Sequence, residues 1–287
     1  MAYAARILAD SLAPCGKRLT TFEISYPRFV HSEFMTHRMF SRNSASSRAI
    51  PVEKMIERVL IDPVTPVWWG KNQAGMQARE ELDGEPKVDC RETWFTARDK
   101  AVASVKTLMQ IGLHKQIANR LLEPWMWITV IVSATEWENF FRLRCHPDAQ
   151  PEIQKIAVTM RDLYASSAPA QLEVGAWHAP LIRDEDMEAI DTLLQLEPPP
   201  GDGAGRTRAA WALGVKVAVG RCARVSYLTH DGKRDLKADL DLHDRLMYSE
   251  HWSPFEHAAR ALRLPERIGN FVGWRQYRAD VDPNYTG

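Results

Sequence analysis

The apolar positions near the start of the chain fall first into a strand and then into helical spacing. Leu19 to Ile24 reads as a short strand halted by Pro27, and beyond it Phe29, Val30, Phe34 and His37 recur at helical intervals. From Arg98 to Leu122 the residues Val102, Val105, Met109, Ile117 and Leu121 share one stripe, which predicts a long amphipathic helix ended by Pro124. Trp125 to Val132 is a continuous apolar run of strand length and predicts a buried strand. Ser133-Ala134-Thr135-Glu136 then has the spacing of a capping box, with Trp137, Phe140 and Phe141 as the apolar face of the helix it opens. Pro151 suits the first position of another helix that turns Ile153, Ile156, Met160 and Leu163 inward. Ala209 to Ser226 and Leu236 to Met247 read as two further helices, the second stopping before Trp252-Ser253-Pro254. Many helices and few strands predict an α+β fold.

The proline- and glycine-rich stretch from Glu197 to Gly203 is the best boundary in the chain, so residues 197–206 are assigned as a connector. A four-residue echo, Pro27-Arg28-Phe29-Val30 against Gly269-Asn270-Phe271-Val272, is short enough to be chance.

Composition narrows the function classes. The 287 residues carry 37 Lys+Arg against 37 Asp+Glu, so no general basic footprint for gripping long nucleic acid exists. No apolar run approaches the roughly 20 residues of a membrane span, and Met1 to Leu12 lacks a secretory apolar core. A soluble cytoplasmic protein is expected. The four cysteines (Cys15, Cys90, Cys145, Cys222) form no CxxC pair, which points to free thiols and no metal site. Ten tryptophans imply a large core or an interface.

Thr36 to Arg48, THRMFSRNSASSR, is the richest polar run, with three Arg, four Ser, one His, one Asn and no acidic residue. Arg forks, Ser hydroxyls and backbone N–H groups together suit an anion such as a phosphate.

The same run fits HRxxSxNxxSxR through His37, Arg38, Ser41, Asn43, Ser46 and Arg48, and so resembles the signature of the flavin-dependent thymidylate synthases. Arg120-Leu-Leu-Glu-Pro124 is similar to that family's R-x-x-x-P segment. Trp137 to Arg144 followed by Ala149-Gln150-Pro151-Glu152-Ile153 resembles its arginine-ended helix and A-Q-x-E-I run. Two more blocks are out of order. Ala223-Arg224-Val225-Ser226 and His251-Trp252-Ser253-Pro254-Phe255-Glu256-His257 resemble family segments that precede the signature, yet here they follow it. The resemblance therefore implies a circular permutant. It would be one catalytic unit over 1–287, with signature and central helices in 1–196 and the displaced block in 207–287, and with helices on a small, mainly antiparallel sheet.

The resemblance also implies a homotetramer that uses FAD, methylenetetrahydrofolate and NAD(P)H to methylate dUMP at C5 in a bacterial or phage-infected cytosol. Arg144 would be the catalytic residue that stabilises the ionised uracil ring. The pyrimidine deoxynucleoside monophosphate would be held by Glu33, Ser44, Ala45, Ser46, Ser47, Arg48, Arg120 and Arg144. The cofactor would be held by Thr36, His37, Arg38, Asn43, Ser133, Asn139, His251, Ser253 and Glu256. No metal is implied. The chain departs from the family pattern: Thr36 replaces an Arg, Glu33 a Gln, Ser44 a Glu, and Ser133 and Thr135 stand for Asn and Arg. A carboxylate at position 33 can accept from an exocyclic amine, so cytosine competes with uracil as the base. Hydroxymethylation of dUMP or dCMP, and a catalytically silent nucleotide-binding subunit, are the alternatives.

Overall fold

The structure, a computed structural model, describes residues 3–196, 203–229 and 234–286. Strands β1 (Ala4–Leu12) and β2 (Arg18–Pro27) form an antiparallel hairpin. A 3-10 turn at Arg28–Val30 leads into α1 (His31–Met35) and β3 (Ser41–Ser44). Then come α2 (Val52–Ile61), α3 (Gly84–Ile111), α4 (Lys115–Ala118), a 3-10 segment at Asn119–Trp125, β4 (Trp127–Ala134), α5 (Glu138–Arg144) and α6 (Pro151–Ser166). The second half runs β5 (Ala170–Gln171), β6 (Trp177–His178), α7 (Asp184–Leu196), α8 (Gly203–Ala223), α9 (Leu236–Tyr248), β7 (Ala259–Ala261), β8 (Arg267–Ile268), β9 (Phe271–Val272), β10 (Trp274–Gln276) and α10 (Arg278–Val281). The fold is α+β. The main sheet has the order β3-β4-β2-β1-β5 and is antiparallel except for the β1–β5 pair.

The two faces of this sheet differ in kind. Phe22, Ile24 and Tyr26 of β2 join Val130 and Val132 of β4 on one face, covered by Trp137, Phe140, Ile153, Ile156 and Met160 from α5, α6 and the turn before α5. The opposite face carries Thr21 and Ser25, Thr129 and Ser133, and Ser41 and Asn43, all buried. Register sets Thr21 and Ser41 on either side of Ser133, and Ser25 opposite Thr129, whose hydroxyls meet at 2.9 Å. The continuous apolar look of β4 arises because Ile131 projects to this second face, under Leu181, Cys222 and Val225.

Two smaller clusters complete the interior. Val52, Met55 and Val59 of α2 meet Val102 and Val105 of α3 beside Leu122 and Trp125. Helices α7, α8 and α9 pack through Ile190, Leu194, Ala210 and Val217 around a buried ion cluster. Gly220 permits this: a Cβ there would lie 2.5 Å from the Asp239 carbonyl oxygen of α9. Fully buried Arg221 forks onto Asp186 with two bonds of 2.7 Å and reaches Asp239 at 3.0 Å. Arg224 donates to Asp239 at 2.7 Å, and Arg234 also donates to Asp186. Burial pushes the Asp186 carboxyl up, but the bonds from Arg221 and Arg234 outweigh it and hold its pKa well below the usual range.

Several elements differ from the sequence expectation. Strand β2 continues through Pro27, which sits at the strand end. The single helix expected over 98–122 begins at Gly84 and stops at Ile111. Gly112, in the left-handed conformation at φ +90, caps it, and Ile117 and Leu121 then lie exposed. Pro124 lies inside the 3-10 segment. The expected capping box is absent, because Ser133 and Ala134 belong to β4 and α5 starts at Glu138 with no side-chain cap. Helix α8 starts six residues before the expected Ala209, at Gly203. Of the connector 197–206, residues 197–202 lie outside the described residues. The four-residue echo is a 3-10 turn in one copy and a strand pair in the other. No described helix is long and apolar enough to cross a membrane.

Truncating Arg221 removes the three buried bonds that join Asp186 to Asp239, leaving Asp186 to Arg234 and Asp239 to Arg224. Arg221→Met is expected to destabilise the fold by about 3–5 kcal/mol, read as a lower urea midpoint, whereas a loss under about 1 kcal/mol would contradict a role for the cluster in holding α7, α8 and α9 together.

Candidate active site

Residues of α1 and α5 build the first part of the site. The C-terminal end of α5 brings Arg144 against the turn after α1, where its Nε donates to His37 Nε2 at 2.9 Å. Its Nη2 donates to the Glu33 carbonyl at 3.2 Å and to Thr36 Oγ1 at 3.1 Å. The Glu33 carbonyl also accepts from the Thr36 N–H at 3.3 Å and the Thr36 hydroxyl at 2.7 Å, so the guanidinium joins a turn that α1 has already closed. The His37 ring lies near-parallel to Phe40 at 5.7 Å and edge-on to Phe140 at 4.9 Å. Because Nε2 accepts from Arg144, the ring carries its proton on Nδ1 and is neutral. Burial first, and the Arg144 and Arg42 charges second, push its pKa down to about 4. Arg144 is half-buried, with Phe140 enclosed beneath the helix and Phe141 partly so. Arg144 and Glu33 share a cavity of about 730 Å³ with Phe29, Trp68, Gln77 and Gln150.

From Asn43 onward the signature run divides between two other cavities. In β3, Ser41 and Asn43 are buried while Arg42 and Ser44 are partly covered. After it, Ala45 and Ser47 turn toward an apolar pocket walled by Arg28, Met55, Arg58 and Trp125. Asn43, Ser46 and Arg48 turn toward a pocket that holds His114, Ser226 and His251. The Ser46 N–H donates to the Ser226 carbonyl at 3.1 Å, which ties the run to the start of the displaced block. Ser47 and Arg120, both expected at a phosphate, end on a carboxylate of this chain. Glu123 Oε1 accepts from Ser47 at 3.1 Å and from Arg120 at 2.7 Å, with Arg28 2.8 Å away. That arrangement is an anion nest with a resident anion.

A third group lines a cavity of about 660 Å³, with Thr36, His37, Arg38 and Phe40 on one side and Asn139, Arg267 and Asn270 on the other. Arg38 and Asn139 are exposed there. Ser133, expected near the cofactor, is instead fully buried on the polar sheet face. Its hydroxyl sits 2.6 Å from Thr21 Oγ1 and 2.8 Å from His257 Nδ1. Glu256 accepts from Arg278 at 2.7 Å, and the Ser253 carbonyl accepts from the Asn43 amide at 3.1 Å.

The Ser133 and Asn43 contacts belong to a continuous chain of hydrogen bonds. Asn43 Nδ2 donates to His257 Nε2 at 3.1 Å. His257 Nδ1–H then donates to Ser133, Ser133 to Thr21, Thr21 to His178 Nε2 at 2.8 Å, and His178 Nδ1–H to Ser11 at 2.9 Å. Every member is buried, and the Asn43 amide that starts the series also reaches the Arg42 and Ser253 carbonyls. Ser41 extends the same face, accepting from Asn270 at 3.3 Å and from Gln276 at 3.0 Å. Residues 251–276 thus pack on β3 across separations of 214 to 235 residues and on β4 across 124.

Sequence reasoning did not single out Glu123, Arg267, Asn270, His178 or Gln276. Only Glu123 carried a signal, as the acid inside the Arg-x-x-x-Pro segment. The others lie in stretches that match no motif and are placed by tertiary contacts. Among the described residues, no three His, Cys, Asp or Glu side chains converge as a metal site, and all four cysteines are free.

A comparison with protein families matches residues 17–170 to the thymidylate synthase complementing protein family. That span covers more than half of the chain and contains β2 to α6, with the signature, Arg120 and Arg144. The chain belongs to this family. A comparison with curated proteins finds no match. Among solved structures, the chain is similar to a UMP/dUMP methylase, PolB from Streptomyces cacaoi, bound with 5-Br UMP. The identity is 16%, the TM-score 0.45, and the likeness covers 57% of this chain and 88% of that one.

The histidines of the buried chain give a pH signature. Burial pushes the pKa of both His178 and His257 down to about 3. Since these groups titrate near 6.5 in the unfolded chain, the unfolded state takes up protons first and stability falls as pH drops below that value. The loss is about 2 kcal/mol for each at pH 5, and His31 and His37, both near 4, add to the same trend. Urea midpoints between pH 7.5 and 5 are expected to fall steeply; a flat profile would show that these rings are not held neutral.

Proposed function

We propose that this protein transfers a one-carbon unit from methylenetetrahydrofolate to C5 of a pyrimidine deoxynucleoside monophosphate, with dUMP to dTMP as the reference reaction. The observation that carries this reading is the placement of Arg144, an arginine within the family-matched span on the wall of a cavity large enough for a nucleotide, braced by a neutral histidine. Charge grows on a pyrimidine ring as its C5 becomes nucleophilic. A fixed guanidinium beside the ring stabilises that state more than the resting one. Neutral His37 takes up only Nε of Arg144, and neither of the other two contacts uses Nη1. Serines 44, 46 and 47, Ala45, Arg48 and Arg120 supply further donors for the sugar and phosphate, and an incoming phosphate would compete with Glu123 for Arg120 and Ser47.

The residues around Arg38 fit a flavin. Arg38 and Arg267 bring two exposed cations, and Asn139 and Asn270 two amides, to one cavity beside the His37–Phe40 ring pair, a donor set suited to a phosphate chain and a polar ring edge. Glu136 and Glu138 line the same cavity, and an incoming phosphate would compete with Glu136, 2.8 Å away, for Arg267. Thr36, His37, Arg38 and Asn139 would contact FAD, while His251 lines the separate cavity of Asn43, Ser46 and Arg48. Asn43, Ser133, Ser253 and Glu256 would hold the supporting segments. Bound FAD, recharged by NAD(P)H, would supply the two-electron reduction that takes a methylene-level carbon to methyl.

The contact of residues 251–276 with β3 and β4 supports a circular permutation within one catalytic unit over 1–287, since the segments are distant in sequence and adjacent in space. The division of the signature between cavities supports a homo-oligomer whose sites are completed by a neighbouring chain. A second reading, dCMP as substrate, is favoured by Glu33 on the same cavity wall as Arg144.

Mass analysis of products from dUMP and dCMP, with FAD, reduced nicotinamide and methylenetetrahydrofolate supplied, tests the reaction; a protein that alters neither nucleotide ends it. Arg144→Ala is expected to lower turnover about a hundredfold or more, and Arg144→Lys not to restore it because an ammonium lacks the fork. Near-normal turnover in the alanine variant would remove Arg144 from the chemistry. Glu33→Gln is expected to shift preference toward dUMP, and an unchanged dCMP-to-dUMP ratio would exclude Glu33 as the base reader.

A further inference from the structure

A cleft with a different character lies wholly outside the family-matched span. One face of α8 presents Thr207, Arg208, Trp211, Ala212, Val215 and Lys216 to it, the i, i+4 spacing of a single helical surface. The opposite wall is the small β10-β7-β6 sheet, which brings Trp177, Arg260 and Tyr277. The cleft measures about 530 Å³, within the range of small-molecule sites.

Its chemistry is one-sided. Three aromatic rings and three cations line it, and no carboxylate does, in a chain with no net charge. The two acids nearby sit outside the lining. Asp280 accepts from Arg260 at 2.6 Å, and Asp244 lies 3.5 Å from Lys216. Arg260 keeps a buried Nε that finds no acceptor among the described residues, while its guanidinium carbon stands 5.3 Å from the Trp177 ring centroid. Trp177 is pinned by β-pairing of residue 177 to residue 260 and by an edge contact with Tyr277 at 5.8 Å. Trp211 is half-buried, and Arg208 is exposed at the mouth.

Half-buried tryptophans beside clustered cations are the elements from which stacking sites for nucleobases with charged tails are made. Phosphates entering here would meet Arg208 at the surface and compete with Asp280 for Arg260 and with Asp244 for Lys216. We infer that this cleft binds a nucleoside polyphosphate, its base against Trp177 or Trp211 and its phosphates against Arg208, Lys216 and Arg260. The inference stands apart from the proposed reaction, because none of these residues is assigned to it.

Calorimetric titration of the full chain with dTTP, ATP and inorganic tripolyphosphate tests it. Saturable binding of at least one nucleoside triphosphate is expected, tighter than tripolyphosphate. Trp211→Ala should weaken it about tenfold or more, and Arg208→Glu should weaken it and flatten its salt dependence. Arg208 is exposed, so its variant keeps the test valid even if Trp211→Ala disturbs folding. Absence of saturable binding would overturn the inference, as would tripolyphosphate binding equal to that of the nucleotides, or binding indifferent to Arg208→Glu. A concentration-dependent dimer abolished by Arg208→Glu would assign the face to a second copy of the chain and equally overturn it.

Discussion

A sheet whose second face is built of Ser, Thr and Asn can be buried only under groups that answer its hydrogen bonds. Each buried polar group left unanswered would cost about 1–3 kcal/mol, so Thr21, Ser133, Ser41 and Asn43 constrain what covers them. His257, His178, Asn270 and Gln276 meet that constraint in series. Such a series also narrows the arrangement, because each hydroxyl and each ring nitrogen must match the role its neighbour takes. An oily second face would have accepted many coverings. The polar one accepts few, and it draws the end of the chain back onto the strand that carries the signature.

The same packing sets the electrostatics of the candidate site. His37 lies among aromatic rings beside Arg144, and both circumstances disfavour its protonation. A charged imidazole there would repel the guanidinium and leave it no acceptor at Nε. Kept neutral, the ring orients Arg144 instead of competing with it. Glu123 makes the opposite arrangement nearby, a carboxylate gathered by Arg28, Arg120 and Ser47. Together they place one oriented cation on a cavity wall and one anion-binding group that is already filled.

Helices α7, α8 and α9 depend on charge in another way. Arg221 is enclosed with two aspartates, and Gly220 lets the backbones come close enough for that pairing. The Arg224 of the Ala-Arg-Val-Ser segment is bound into this cluster through Asp239, so its place in the molecule is structural. Trp211 and Arg208 of α8 face the cleft against the small sheet, beside Lys216, which pairs with Asp244 of α9.

The amino-acid sequence by itself determined the elements whose cause is local. The run Trp125–Val132 announced β4, and Pro151 with its apolar spacing announced α6, because side-chain period and proline geometry act within a few residues. The signature spacing likewise marked the family and pointed to Arg144. Where two local signals conflicted, the sequence misled: Gly112 ended α3 inside a continuing apolar stripe, and Ser133 satisfied a capping pattern while the sheet claimed it. Only the tertiary structure decided that Ser133 is an interior relay, that Ser47 and Arg120 close on Glu123, and that His37 is neutral. Each of these depends on partners far away in the chain, and on burial that strengthens or forbids a charge. No period or spacing encodes such pairings, because they come into being only when distant segments fold against one another.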